Sequence, residues 1–277
     1  MKFPSGSSQL NLAIEPPAEP PKRAVSRDDL PEQLARLTPT ERAVLRLKAL
    51  VGVLTNKNDF LTLLNRSGLP APDGGSWTYN NVNPILNRLL ALGLLKPDFS
   101  CVDSLLHDLT IEMIAAPGGP VAVESVRRMF PVAANRRYYY SYSPQTDPGA
   151  RVRLRLAIYE NDGDAFRGAI DEYDEAYSPN VGPYILEDLF ADAILDASWL
   201  GGLALDIQFR LFWVKLSHLL TTGESTPDMP ALMAHYRGRQ DMPDYAEFKW
   251  AMLRVDILAG ELVAARRKIL SMPETSP

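Results

Sequence analysis

At 277 residues, with 46% hydrophobic and 23% charged residues, the chain has room for one large domain or two small ones and the balance of a soluble globular protein. A core of that size needs no metal or disulfide; the single cysteine, Cys101, excludes an intrachain disulfide, and histidines at 107, 218 and 235 give no local metal-ligand spacing. A net charge of −5 argues against a surface given over to nucleic acid, while leaving room for a local basic patch.

Residues 1–37 carry Pro16, Pro17, Pro20, Pro21 and Pro31 among small and charged residues. Such a segment buries too little apolar surface to offset its ordering entropy, so a disordered or extended lead-in is expected. It lacks a basic stretch followed by an apolar one, so no secretory signal is expected, and the reducing cytoplasm is the expected compartment. No apolar run reaches the roughly 20 residues that cross a bilayer. The longest, 199–220, is broken by Asp206, Gln208, Arg210 and Lys215 and reads as a buried helix, so no membrane partner is expected.

Residues 38–116 read as a winged helix-turn-helix. Thr38-Pro39-Thr40-Glu41 has the form of a capping box, with proline at the first helical position and glutamate three residues after the cap. Val44, Leu45, Leu47, Leu50, Val51 and Leu54 follow with helical spacing. Asn56 opens a shorter helix through Phe60, Leu61 and Leu64, stopping at Gly68. Beyond a Pro/Gly loop, Val82, Ile85, Leu86, Leu89 and Leu90 define a third helix, closed by Gly93. Leu94 to Val102 is the expected small β-wing, and Leu105, Leu109, Met113 and Ile114 fit a closing helix.

Pro117-Gly118-Gly119-Pro120 is the strongest breaker and the predicted domain boundary. A basic, aromatic connector follows over 117–150, containing a short helix at 121–130. The segment 151–277 reads as an array of α-helical hairpins. Arginines 151, 153 and 155 alternate with apolar residues as in a strand, but the pattern runs on into Ala157, Ile158 and Tyr159, which favours a helix. After the turn Asn161-Asp162-Gly163-Asp164, Ala169, Tyr173 and Ala176 have the small/aromatic spacing of a tetratricopeptide second helix. Helices are expected at 184–197 and 203–220, with a last hairpin about Gly260, yet a 34-residue period is not kept. The fold class is therefore mainly α: a winged helix followed by tetratricopeptide-like hairpins.

Two residue sets could carry recognition. On the third helix, Asn80, Asn81, Asn83, Asn87 and Arg88 lie off the apolar face; asparagine pairs with adenine and arginine with guanine or phosphate. The plainer reading is that these amides cap and solvate an exposed helix start, and Pro84 shortens or bends the surface. In the connector, Arg127, Arg128, Arg136, Arg137, Tyr138 and Tyr140 could clamp phosphates and stack bases. The alternative is an interdomain seam, with tyrosines buried in it and arginines paired to the acidic run 171–175. His107-Asp108 are neighbours on a helix and point apart, so a core histidine is expected rather than a catalytic pair. Cys101, with no basic partner nearby in sequence, reads as inert. No phosphate loop, dinucleotide fingerprint, nucleophile elbow or His-Glu-x-x-His occurs, so no catalytic, metal or cofactor residues are expected.

Leu37-Thr38-Pro39-Thr40-Glu41-Arg42, Gly93-Leu94-Leu95, Leu106-His107-Asp108-Leu109 and Ala169/Tyr173/Ala176 occur in an order that resembles the N-terminal accessory region of large bacterial helicases of the Swi/Snf type, over roughly residues 38–180. The resemblance implies that ATP hydrolysis belongs to a motor domain outside this sequence. The chain itself is then expected to be a non-enzymatic recognition or scaffolding module with DNA, a protein or that motor as partner. A protein-only adaptor using the helical array is the alternative.

Overall fold

The structure is a computed structural model, and it describes residues 29–52, 56–130, 148–176, 181–190, 193–237, 239, 246–258, 260, 261, 263 and 266. Among them are thirteen helices: α1 Leu30–Ala35, α2 Pro39–Val51, α3 Lys57–Arg66, α4 Tyr79–Ala91, α5 Asp103–Ala115, α6 Gly119–Met129, α7 Pro148–Tyr159, α8 Gly163–Ala176, α9 Val181–Phe190, α10 Ala197–Gly201, α11 Leu205–Thr222, α12 Met229–Tyr236 and α13 Ala246–Leu258. None of them is long and apolar enough to cross a membrane.

Local chemistry sets the front elements. The Thr38 hydroxyl accepts from the Glu41 amide at 3.3 Å and the Glu41 carboxylate accepts from the Thr38 amide at 2.8 Å, closing the capping box on α2. Asn56 caps α3 by accepting from the Asp59 amide at 2.8 Å. The extended lead-in expected to reach residue 37 gives way at Leu30. Pro31 sits in the first turn of α1, where a missing amide proton is harmless, and Leu30 is buried.

The expected wing is shorter than a two-stranded ribbon. Extended pairing there comes to one antiparallel bridge, Leu95 to Cys101, flanked by Lys96 N–H donating to Ser100 O at 2.8 Å. The Asp98 carboxylate accepts from the Ser100 amide at 2.9 Å, and Phe99 takes a φ of 62°. Side chain and turn satisfy the loop, leaving little backbone for a ladder.

Two buried clusters organise the helices. Leu45, Leu50, Phe60, Leu64, Leu86 and Leu89 typify the front one, in which α2 lies along α5. Ala122, Val123 and Val126 of α6 also belong to it, so the 117–120 turn interrupts the helices without dividing the core. Gly119 has no alternative there: a Cβ would stand 2.3 Å from the Ile114 carbonyl oxygen. The rear cluster is richer in aromatics, including Phe166, Phe190, Phe212 and Tyr236, with α11 packed on α9 and α13. α7 serves both: Val152 and Leu156 face forward, Leu154 and Ile158 rearward. The arginines that alternate with them are each answered by another element, Arg151 by Asp188, Arg153 by Glu172 and Arg155 by Thr110, which lets a helix with a strand-like pattern lie between two cores.

The helix expected over 184–197 is not kept to its end: α9 is described to Phe190, and 193–196 are non-helical. Non-helical backbone before α10 is held by a buried ion pair, Lys215 Nζ to Asp228 Oδ2 at 3.4 Å. Lys215 donates to the Ala193 carbonyl, and Asp228 accepts from the Leu195 amide at 2.9 Å. Two charges from distant helices thus replace the lost intrahelical bonds.

Candidate functional site

The residues singled out on α4 divide into two groups. Asn81 is structural: its carbonyl accepts from the Thr78 amide at 2.8 Å and its amide donates to Ser76 O at 3.2 Å, fixing the helix start. Arg88 pairs with Glu41 at 3.1 Å and donates to Arg36 O at 3.3 Å, tying α4 to α2 and α1. Asn80, Asn83 and Asn87 recur at spacings of three and four, so they share a face; Asn80 and Asn87 are exposed and Asn83 half-buried. Pro84 lies inside α4 rather than at its first turn and lacks the amide proton that would bond the Asn80 carbonyl. The loop leading to this face is pinned by Asn65, which accepts from the Trp77 amide at 2.9 Å and donates to the Trp77 carbonyl at 3.0 Å.

Of the connector set, Arg136, Arg137, Tyr138 and Tyr140 lie outside the described residues. Arg127 and Arg128 stand on the last turn of α6. Arg127 is paired to Glu160, and Arg128 to Glu124 at 2.8 Å. Further along, Arg151 pairs with Asp188, and Arg153 with Glu172 of the acidic run at 3.4 Å. On the front unit Arg42 and Arg46 share Glu112, at 2.8 and 2.7 Å. Burial pushes the Glu112 carboxyl up, but the two guanidiniums outweigh it and hold its pKa below the ordinary value. The positive charge of these described arginines is therefore answered within the protein.

A buried polar group that sequence reasoning did not assemble joins the two clusters. His107 Nδ1 on α5 meets the Tyr159 hydroxyl on α7 at 3.0 Å, and the Trp199 ring stands edge-on to the imidazole with centroids 4.5 Å apart. Arg155, 3% exposed, donates to Thr110 Oγ1 at 3.0 Å and lies 5.7 Å from the Tyr159 ring centre. Thr110 in turn donates to the Ala49 carbonyl at 3.2 Å. Burial, reinforced by Arg155 and opposed by Asp108, lowers the His107 pKa. Burial also pushes Tyr159 up to about 12 against the pull of Arg155. These groups stay uncharged except for the guanidinium, an arrangement suited to linking helices rather than moving protons. The signal for it was Arg155, one of two arginines set inside the otherwise apolar run 152–158.

Lys48 is buried with its ammonium 4.0 Å from the Phe60 ring centre, and burial brings its pKa down to about 8 against the pull of Asp98 and Cys101. The Cys101 thiol is pushed up to about 12 by burial, with Arg155 opposing. It stays protonated and is a poor nucleophile. Among the described residues, no group of three or more His, Cys, Asp or Glu side chains could hold a metal ion. What these surfaces offer is uncharged hydrogen bonding on α4 and ion-paired arginines around it. No family model, no curated protein and no solved structure matches this chain.

Proposed function

We propose that the chain is a non-enzymatic recognition and scaffolding module that docks onto protein, working beside a DNA-associated, helicase-like machine whose motor lies outside this sequence. In this reading α2, α3, α4 and the 94–102 turn form a winged helix with a reduced wing, and α7 and α8 form the first of several tetratricopeptide-like hairpins. The observation that carries it is the pairing of Arg88, Arg127 and Arg128 with Glu41, Glu160 and Glu124. Phosphate neutralisation supplies most non-specific affinity for DNA, and an arginine already facing a carboxylate has little to give. A protein partner makes no such demand.

A second reading has one observation in its favour. Asn80, Asn83 and Asn87 share one α4 face, and Asn80 and Asn87 are exposed on it. Asparagines so placed can read adenine edges while phosphate contacts come from elsewhere, including Arg136 and Arg137. Fluorescence anisotropy with labelled duplex and single-stranded oligonucleotides at about 50 mM salt separates the two. No binding at micromolar protein is the expected result. Salt-sensitive binding that weakens on Arg136→Ala/Arg137→Ala or Asn80→Ala/Asn87→Ala would overturn the protein-docking reading in favour of DNA.

A further inference from the structure

α5 meets both cores, and its two faces are held differently. Leu105, Leu109 and Met113 are buried in the front cluster, where α2 and α6 pack against α5 and Arg42 and Arg46 are taken by Glu112. His107, Ile111 and Ile114 recur at spacings of four and three on the side that meets the rear cluster. Both isoleucines are only partly buried there. The third side chain of this joint is an imidazole, 5% exposed, set against Tyr159 of α7 and Trp199 of α10.

What the imidazole meets suits only its neutral form. The Arg155 guanidinium beside the Tyr159 ring makes the phenol the better donor, so Tyr159 O–H donates and Nδ1 accepts. Nε2 is buried without a hydrogen-bond partner, and so is Arg155 Nη1. A proton arriving on Nδ1 sets two hydrogens against each other and puts a second cation beside a buried guanidinium. Three carboxylates pull toward that proton, yet none bonds the ring. Asp108 and Asp196 are exposed, the latter capping α10 through the Trp199 amide at 2.7 Å. Asp228, at the start of α12, is buried and already faces Lys215 of α11 at 3.4 Å.

We propose that a proton on His107 unlatches α5 from Tyr159 and Trp199 while both apolar cores stay folded. The cores do not rest on this face. Leu105, Leu109 and Met113 stay with the front one, Phe190 and Leu200 with the rear, and Val152 and Leu156 keep α7 tethered to the front. Acidity then sets how rigidly the two units are held, a control that goes beyond the scaffolding role and does not depend on which partner docks. One proton shifts the balance at most about tenfold for each pH unit below the ordinary imidazole value of 6.5, or about thirtyfold by pH 5.

The four tryptophans make a test selective, because Trp77 lies in the front core, Trp199 at the joint, Trp213 against the rear core and Trp250 in solvent. Fluorine NMR of the full chain carrying fluorotryptophan follows each ring from about pH 7.5 to about pH 5. The expected result is a second, solvent-exposed Trp199 population that grows by up to about thirtyfold while Trp77 and Trp213 hold. His107→Asn, whose oxygen takes the place of Nδ1, and His107→Gln should each leave Trp199 indifferent to pH. In the wild-type chain the His107 imidazole should titrate with the same midpoint as the Trp199 change, a measurement that needs no variant. A Trp199 signal that ignores pH, or one that still moves in both variants, overturns the proposal. So does a change shared by Trp77 and Trp213, which is unfolding of the cores, or an imidazole midpoint apart from that of Trp199.

Discussion

The front and rear clusters are both leucine-rich, yet they are held by different means. In front, helix ends are set by neighbours in sequence: Thr38 with Glu41, Asn56 with Asp59, Asn81 with Thr78. In the rear, local caps recur at α8 and α10, but the non-helical stretch 193–195 is held by charges brought from far along the chain, Lys215 and Asp228, and Arg237 holds the buried Asp256 at 3.0 Å. Caps are worth about 1 kcal/mol each and fail singly. A buried charge left without its partner costs several times that. The front should therefore degrade gradually under substitution and the rear abruptly.

The largest effect should come from Lys215→Met. It leaves the Asp228 carboxylate buried and the Ala193 carbonyl without its donor, and should destabilise by about 3–5 kcal/mol in urea unfolding. Should the loss fall below that of a cap, the contrast between the halves fails. Next comes Gly52→Ala. Gly52 has a φ of 62°, and a Cβ would lie 1.0 Å from Arg155 Nη1, so backbone strain and displacement of a buried guanidinium add to about 2 kcal/mol or more. A double-mutant cycle with Arg155→Met should show coupling, because the second change removes the clash.

pH probes the junction itself. His107 titrates near 6.5 when unfolded and lower when folded, so the unfolded state takes up the proton first as pH falls. Stability should thus decline from about pH 6.5 down to the folded value, with a slope of at most about 1.4 kcal/mol per pH unit. His107→Gln should flatten this part of the curve, and an unchanged curve would show that the imidazole is not held neutral. Smallest of the four, Thr38→Ala should cost about 1 kcal/mol by chemical denaturation, and Thr38→Ser almost nothing.

The same contrast decides what could be read from the sequence. The starts of α2 and α3 and the turn before α8 follow from residues within four positions, and they appear where expected. The Asn161-Asp162-Gly163-Asp164 turn is one such case, with Asn161 at a φ of 58° and Asp162 accepting from the Ala165 amide at 2.9 Å. The end of α9 was not readable, because its cause sits some 20 to 35 residues away in Lys215 and Asp228. The candidate site divides likewise. Asn80 and Asn87 fall on an exposed face as helical spacing requires, whereas the commitment of Arg88 to Glu41 depends on how α4 crosses α2. The His107–Tyr159 contact joins residues 52 apart in sequence and left no local mark beyond Arg153 and Arg155 in an otherwise apolar run.

α7 has one more consequence. Because Val152 and Leu156 complete one core while Leu154 and Ile158 complete the other, cleavage anywhere in 131–147 yields two pieces, each with an apolar wound. The amino-terminal piece would lack a wall that only the carboxyl-terminal piece can supply. Mixed together, such pieces should reassociate, and kept apart they should aggregate. Evolution could then alter either half freely only so long as this shared strut stays compatible with both.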